Sequence, residues 1–149
     1  IWMYRIATNV RAIGRSTTFA PVFAILGWVL PPFLFVLPLL VLRELWKASD
    51  PNTPPGSEGW RSSGENPLLY VWFVVYGVIP AILTAISLGS VLDAALNLDT
   101  DAQSVAEVTA STGGAEVILG GVVGVVSAVV WILFVKQLTA RHVELTGER

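Results

Sequence analysis

FAPVFAILGWVLPPFLFVLPLLVL, residues 19–42, carries no charged side chain, yet it holds Pro21, Pro31, Pro32 and Pro38. A helix needs roughly 20 apolar residues to cross a bilayer, and this run is long enough. Proline inside a helix removes a backbone donor and crowds the preceding turn. In hydrocarbon the orphaned carbonyl is costly unless neighbouring protein satisfies it. Pro21 falls in the first turn, where a missing N–H costs little. Pro31, Pro32 and Pro38 fall deeper. The run therefore predicts a kinked or two-piece membrane helix held by neighbours. A hinge, or a broken helix lining a transport site, is the functional alternative. No polar residue flanks Pro31 and Pro32 to act as a ligand, which favours a static kink that shapes a bundle.

Two more runs, 68–92 and 117–135, have the same length and apolarity. The 149-residue chain is 54% apolar and only 13% charged, with a mean hydropathy of +0.68. Soluble domains carry about 25% charged residues, so this composition cannot surface a soluble core. The expected fold is an all-α integral membrane protein forming one domain, with three transmembrane helices. The net charge of −2 and the lack of a basic cluster argue against a nucleic-acid partner.

Small residues recur every four positions in the later runs: Gly77, Ala81, Ala85 and Gly89, then Gly120, Gly124 and Ala128. Residues four apart share a helix face. Small side chains there let membrane helices approach closely. These stripes predict packing of the two helices on each other or on a partner. Thr84, Ser87 and Ser127 are expected to bond their own helix backbone.

Ahead of the first run, IWMYRIATNVRAIGRS at 1–16 places Met3, Ile6, Val10 and Ile13 at helical spacing. It predicts an amphipathic interfacial helix. Arg5, Arg11 and Arg15 are its candidate lipid or partner contacts. Residues 50–67 form a turn-rich polar loop, expected to be a flexible linker. Residues 93–116 hold Asp93, Asp99, Asp101, Glu107 and Glu116 and no Lys or Arg. Thr100 and Gln103 have capping-box spacing, so a short helix over 101–110, stopped at Gly113-Gly114, is expected there. Glu116 suits the start of the third span, where the helix dipole favours an acid. Residues 136–149 form the tail.

With three spans, the 43–67 loop and the tail share one side. Arg43, Lys47, Arg61, Lys136, Arg141 and Arg149 lie there, against Arg5, Arg11 and Arg15 opposite. The bias puts the former side in the cytoplasm and 93–116 outside. A chain entering from the outer face implies a further upstream span.

YRIATNVRAIG at 4–14, FAPVFAILGWVLPP at 19–32 and LRELWKASDP at 42–51 occur in order. Together they resemble a bacterial multi-span membrane-protein family catalogued as a domain of unknown function, common in high-GC Gram-positive bacteria. LLYVWFVVY at 68–76 fits less closely. The resemblance implies a plasma-membrane location and an architecture of one span, an amphipathic Trp-Tyr-Arg segment, a Gly-Trp/Pro span ending Leu-Trp-x-x-Ser, and two further spans. The first of these spans is missing here. It lends no catalytic residue.

Catalytic chemistry is not legible. The chain has no cysteine, and His142 is its one histidine, expected to be solvated. Paired axial histidines for a haem are excluded within the chain. No nucleophile elbow, phosphate-binding loop or metal-ligand spacing occurs, and no catalytic residue, cofactor or metal is assigned. The leading expectation is a non-catalytic accessory or scaffold subunit, partnered by the bilayer and by other integral membrane proteins. The alternatives are a small oligomeric permease or channel subunit gated by the Pro-kinked helix, and a lipid-facing sensor or enzyme.

Overall fold

The computed structural model describes residues 2–28, 36–96 and 102–147, with side chains omitted at 90, 91, 94, 95 and 102–116. Pro31, Pro32, Asp99, Thr100 and Asp101 lie outside the described residues. The described chain is all helical, without a strand. In order it comprises α1 Trp2–Ala12, α2 Phe23–Leu26, α3 Val36–Ala48, a 3-10 turn Glu58–Ser62, α4 Pro67–Phe73, a π turn Val74–Val78, α5 Ile79–Leu96 and α6 Ala102–Thr146. It divides into two compact units, Ile1–Phe73 with Val130–Arg149, and Val74–Val129.

Two helical stretches are long and apolar enough to cross a membrane: Pro67–Gly89, with mean hydropathy 2.1, and Val117–Thr146, with 2.7. The π turn precedes Pro80, which cannot donate a hydrogen bond to the carbonyl four residues back. A widened turn absorbs that defect without breaking the helix. Ser87 Oγ donates to the Leu83 carbonyl at 3.0 Å, as its position in an apolar helix requires.

The 19–42 run is not one rod. α2 ends at Leu26, and α3 runs back alongside it. Glu44 accepts hydrogen bonds from the Thr18 and Phe19 N–H groups at 2.6 and 3.1 Å, so both ends of the run meet. Deeper in, a Cβ on Gly27 would sit 3.4 Å from Leu37 Cγ. These contacts define an antiparallel helical hairpin. Pro38 is buried in its returning limb.

The core of the first unit collects Met3, Ile6 and Val10 of α1, Leu42 and Leu45 of α3, Trp60, Leu69 and Trp72, and Phe134 and Leu138 of α6. The apolar face of α1, expected to lie on lipid, is therefore covered by protein. The 50–67 segment is not a free linker either, because Trp60 is buried. Trp28 stacks near Trp72 and Trp131 at 5.7 and 5.6 Å, and Trp72 lies 5.1 Å from Trp131.

α6 runs unbroken through Gly113 and Gly114 and on to Thr146. The expected stop at Gly113-Gly114 and the separate short helix over 101–110 are corrected accordingly. Glycine in a helix costs about 1 kcal/mol relative to alanine, a penalty a long helix absorbs. Glu116 consequently lies well inside a helix rather than at its N-terminus.

Candidate functional site

The polar centre of the first unit is built where α1, α3 and α6 end. α1 closes in a Schellman turn. Arg15 N–H donates to the Val10 carbonyl at 3.2 Å and Gly14 N–H to Arg11 at 3.0 Å, with Gly14 at φ +82°. That turn delivers the Arg15 side chain to the C-terminal end of α3. Its guanidinium donates to the carbonyls of Ala48 at 2.5 Å, of Asp50 at 2.9 Å, and of Thr53. The cation thus satisfies carbonyls that α3 cannot, at the negative end of the helix dipole. Arg15 is fully buried. Its expected role as a lipid or partner contact is corrected: its partners belong to its own chain. Burial lowers its pKa, with the charge of Asp50 acting upward and that of Arg141 downward.

Arg141 of α6 reaches the same helix end. It donates to the Trp46 carbonyl at 3.2 Å and to Ser63 Oγ at 2.7 Å, and its guanidinium lies 4.8 Å from the Trp46 ring centre. It pairs with the Asp50 carboxylate at 3.1 Å. Burial pushes the Asp50 carboxyl upward. Hydrogen bonds from Ser63, Asn52 N–H and Thr53, with the charge of Arg141, outweigh burial and hold it below the ordinary range.

His142 is buried too, which corrects its expected solvated place. The Asn9 amide nitrogen lies 3.5 Å from Nε2, and Ser49 Oγ lies 3.4 Å from Nδ1. The ring thus lies between an amide and a hydroxyl, one at each nitrogen. Asn66 caps α4 by accepting from Leu68 N–H at 2.9 Å, while its amide donates to Gln137 at 2.8 Å.

Of the other two arginines of the 1–16 segment, Arg11 bonds the Thr17 hydroxyl and carbonyl, both at 2.9 Å. Arg5 is exposed beside a cavity of about 410 Å³ between α1 and the end of α6. On the rim, Glu65 pairs with Arg43 and with Lys47, and Glu58 with Arg61. Both carboxyls are held low, Glu65 by Arg43 first and Glu58 by Ser16 and then Arg61.

The small-residue positions form no comparable centre. Gly77 is buried in the π turn, whereas Ala81, Ala85, Gly89, Gly120, Gly124 and Ala128 are exposed. A Cβ at Gly89, Gly120 or Gly124 would meet no atom within 4 Å among the described residues. Among the described residues, no group of three or more His, Asp or Glu side chains gathers that could hold a metal.

This is an all-helical protein with two helices of membrane-crossing length and a polar centre in which two arginines close one helix end. It belongs to the family described as Domain of unknown function (DUF4328), whose family model matches residues 1–140. Comparison with curated proteins and with solved structures returns no match.

Proposed function

We propose that this chain is a non-catalytic integral membrane protein that serves as an accessory or scaffold subunit, packing on other membrane proteins through its small-residue stripes. The carrying observation is the open space at Gly89, Gly120 and Gly124 on helix stretches, 79–89 and 117–135, that carry no charged side chain. Ile86 at 64% exposed, Leu88 at 63% and Val125 at 66% are surfaces for lipid, not water. Glycines on such a surface leave shallow grooves that another helix can fill closely.

The test is Gly124→Leu. No atom of the chain stands where the new side chain would go, and leucine is the better helix former. The chain itself should tolerate the change. Mild-detergent extracts resolved on native gels should then show loss of the larger assembly while the chain keeps its melting temperature. An assembly of unchanged size would overturn the scaffold reading.

The hairpin supports a revised topology. Residues 18–19 and Glu44 sit at one level, so 19–42 enters and returns on the same face of the bilayer. Trp28 reaches Trp72 and Trp131, about 9 Å along the helices from Asn66 and Gln137 at ~1.5 Å per residue. Trp28 thus packs on protein at that depth, and protein packing is the condition under which membranes tolerate a non-spanning segment. On this reading the 19–42 segment is re-entrant, the two long helices cross, and α1, the 43–67 loop and the C-terminus share one side. All nine lysines and arginines then lie on that side, and none in 74–129. On this reading the charge bias, which α1 divides in a three-span arrangement, is uniform and favours that side as cytoplasmic and 93–116 as outside.

A further inference from the structure

We infer that the cavity between α1 and the last turns of α6 binds a phosphate-bearing anion, with an anionic phospholipid headgroup as its source. Arg11 and Arg15 are both engaged within the chain. Arg5 has no carboxylate within ion-pair distance and no hydrogen bond among the described residues, and it faces a cavity of about 410 Å³. The volume suits a small ligand or headgroup. Asn9 and Thr139 add an amide and a hydroxyl to the same wall, and no acid lines it. A guanidinium with a neutral hydroxyl donor beside it is a phosphate-binding set, because each phosphate oxygen accepts hydrogen bonds and the charges offset each other.

The remaining walls explain why a lipid is the better source. Trp2, Ile6 and Val143 are apolar or amphipathic. They sit beside Thr139, near the end of a helix of membrane-crossing length. A glycerol backbone and the start of its acyl chains have somewhere to lie, and tryptophan favours that interfacial level. His142, held between Asn9 and Ser49, backs the cavity and fixes the Asn9 amide next to Arg5's helix turn. The inference rests on the membrane reading above.

Native mass spectrometry of the purified full chain, loaded with defined phosphatidylglycerol or phosphatidylcholine, tests it. The expected result is one phosphatidylglycerol retained per chain in preference to phosphatidylcholine. Arg5→Gln should weaken that retention about tenfold, in line with loss of a charged hydrogen-bonded pair. Lys136→Gln removes an exposed cation at the same end of α6 but outside the cavity, and it should change little. Arg5→Lys should keep part of the affinity, since charge remains without the planar fork. Competition by millimolar inorganic phosphate would support the anion site and assign it to a soluble ligand instead. Equal retention of both lipids, or equal losses in Arg5→Gln and Lys136→Gln, would overturn the inference. Arg5 is exposed and makes no described bond, so folding should survive, which a melting temperature checks. Carbonate washing of membranes separates the two failures: release of the chain would sink the membrane reading itself.

Discussion

Arg15 shows how much one side chain can decide. It joins the turn after α1 to three carbonyls at the end of α3. Replacing it by glutamine strands those carbonyls in a buried place. Unfolding in detergent should show a loss of about 3 kcal/mol, the scale of a charged hydrogen-bonding group removed from the interior. Lysine should rescue little, because a point charge cannot bridge carbonyls on several residues as a planar fork does. Gly14 is constrained for a different reason. It sits at φ +82°, and a Cβ there would lie 3.3 Å from Gly56 Cα. Gly14→Ala should cost about 1–2 kcal/mol in the same assay. Asp50 adds a pH signature. Its carboxyl is held low in the folded chain, so its contribution is complete above the ordinary aspartate value near 3.9. It fades as pH falls through the lower folded value. Wild type should therefore lose more stability than Asp50→Asn as pH falls from about 4 through that lower value, and the two should converge in acid. Glu58 and Glu65 are also held low; they titrate in both chains and cancel in the difference. Parallel pH curves would contradict this assignment.

At the scale of elements, the hairpin and the tryptophan cluster carry the argument together. Trp131 lies 5.1 Å from Trp72, 5.6 Å from Trp28 and 6.1 Å from Phe134. It thus ties α4 and α6 to the end of the entering limb. Trp131→Ala should destabilise the chain by about 3–5 kcal/mol, through lost dispersion and the cavity left behind. Limited proteolysis should then cut within 19–42, a stretch otherwise protected. Much of this was legible in residue patterns. The period of Met3, Ile6 and Val10 marked α1 as amphipathic, and the prolines marked 19–42 as broken. What covers α1, and where the broken run goes, depends on contacts that no local pattern encodes. Glu44 meets Thr18 across 26 residues, Ser49 meets His142 across 93, and Asn9 meets His142 across 133. For the same reason Arg5, Arg11 and Arg15 look alike in sequence, although one is buried, one is locally bonded and one lines a cavity. Gly113-Gly114 misled in the other direction, because the local preference of two glycines is weaker than the continuity of α6.

For the molecule as a whole, charge and topology must agree, and the chain lends itself to a clean check. It contains no cysteine, so every introduced thiol is a unique label. Thr8, Ser57 and Glu144 are solvent-facing or partly so in the first unit, and Asp93 is exposed in α5. Single substitutions Thr8→Cys, Ser57→Cys, Glu144→Cys and Asp93→Cys sample α1, the 43–67 loop, the end of α6 and α5. With the 19–42 hairpin re-entrant, a membrane-impermeant maleimide added to intact cells should reach Asp93→Cys alone. The other three should react only after the membrane is opened. If 19–42 instead crosses the bilayer, Thr8→Cys should react from outside together with Asp93→Cys, while Ser57→Cys and Glu144→Cys remain protected. The α1 position therefore separates the two topologies by itself. Physical chemistry favours the first outcome: a full crossing would pull Arg15 away from the α3 carbonyls it satisfies, leaving them and its own charge without partners.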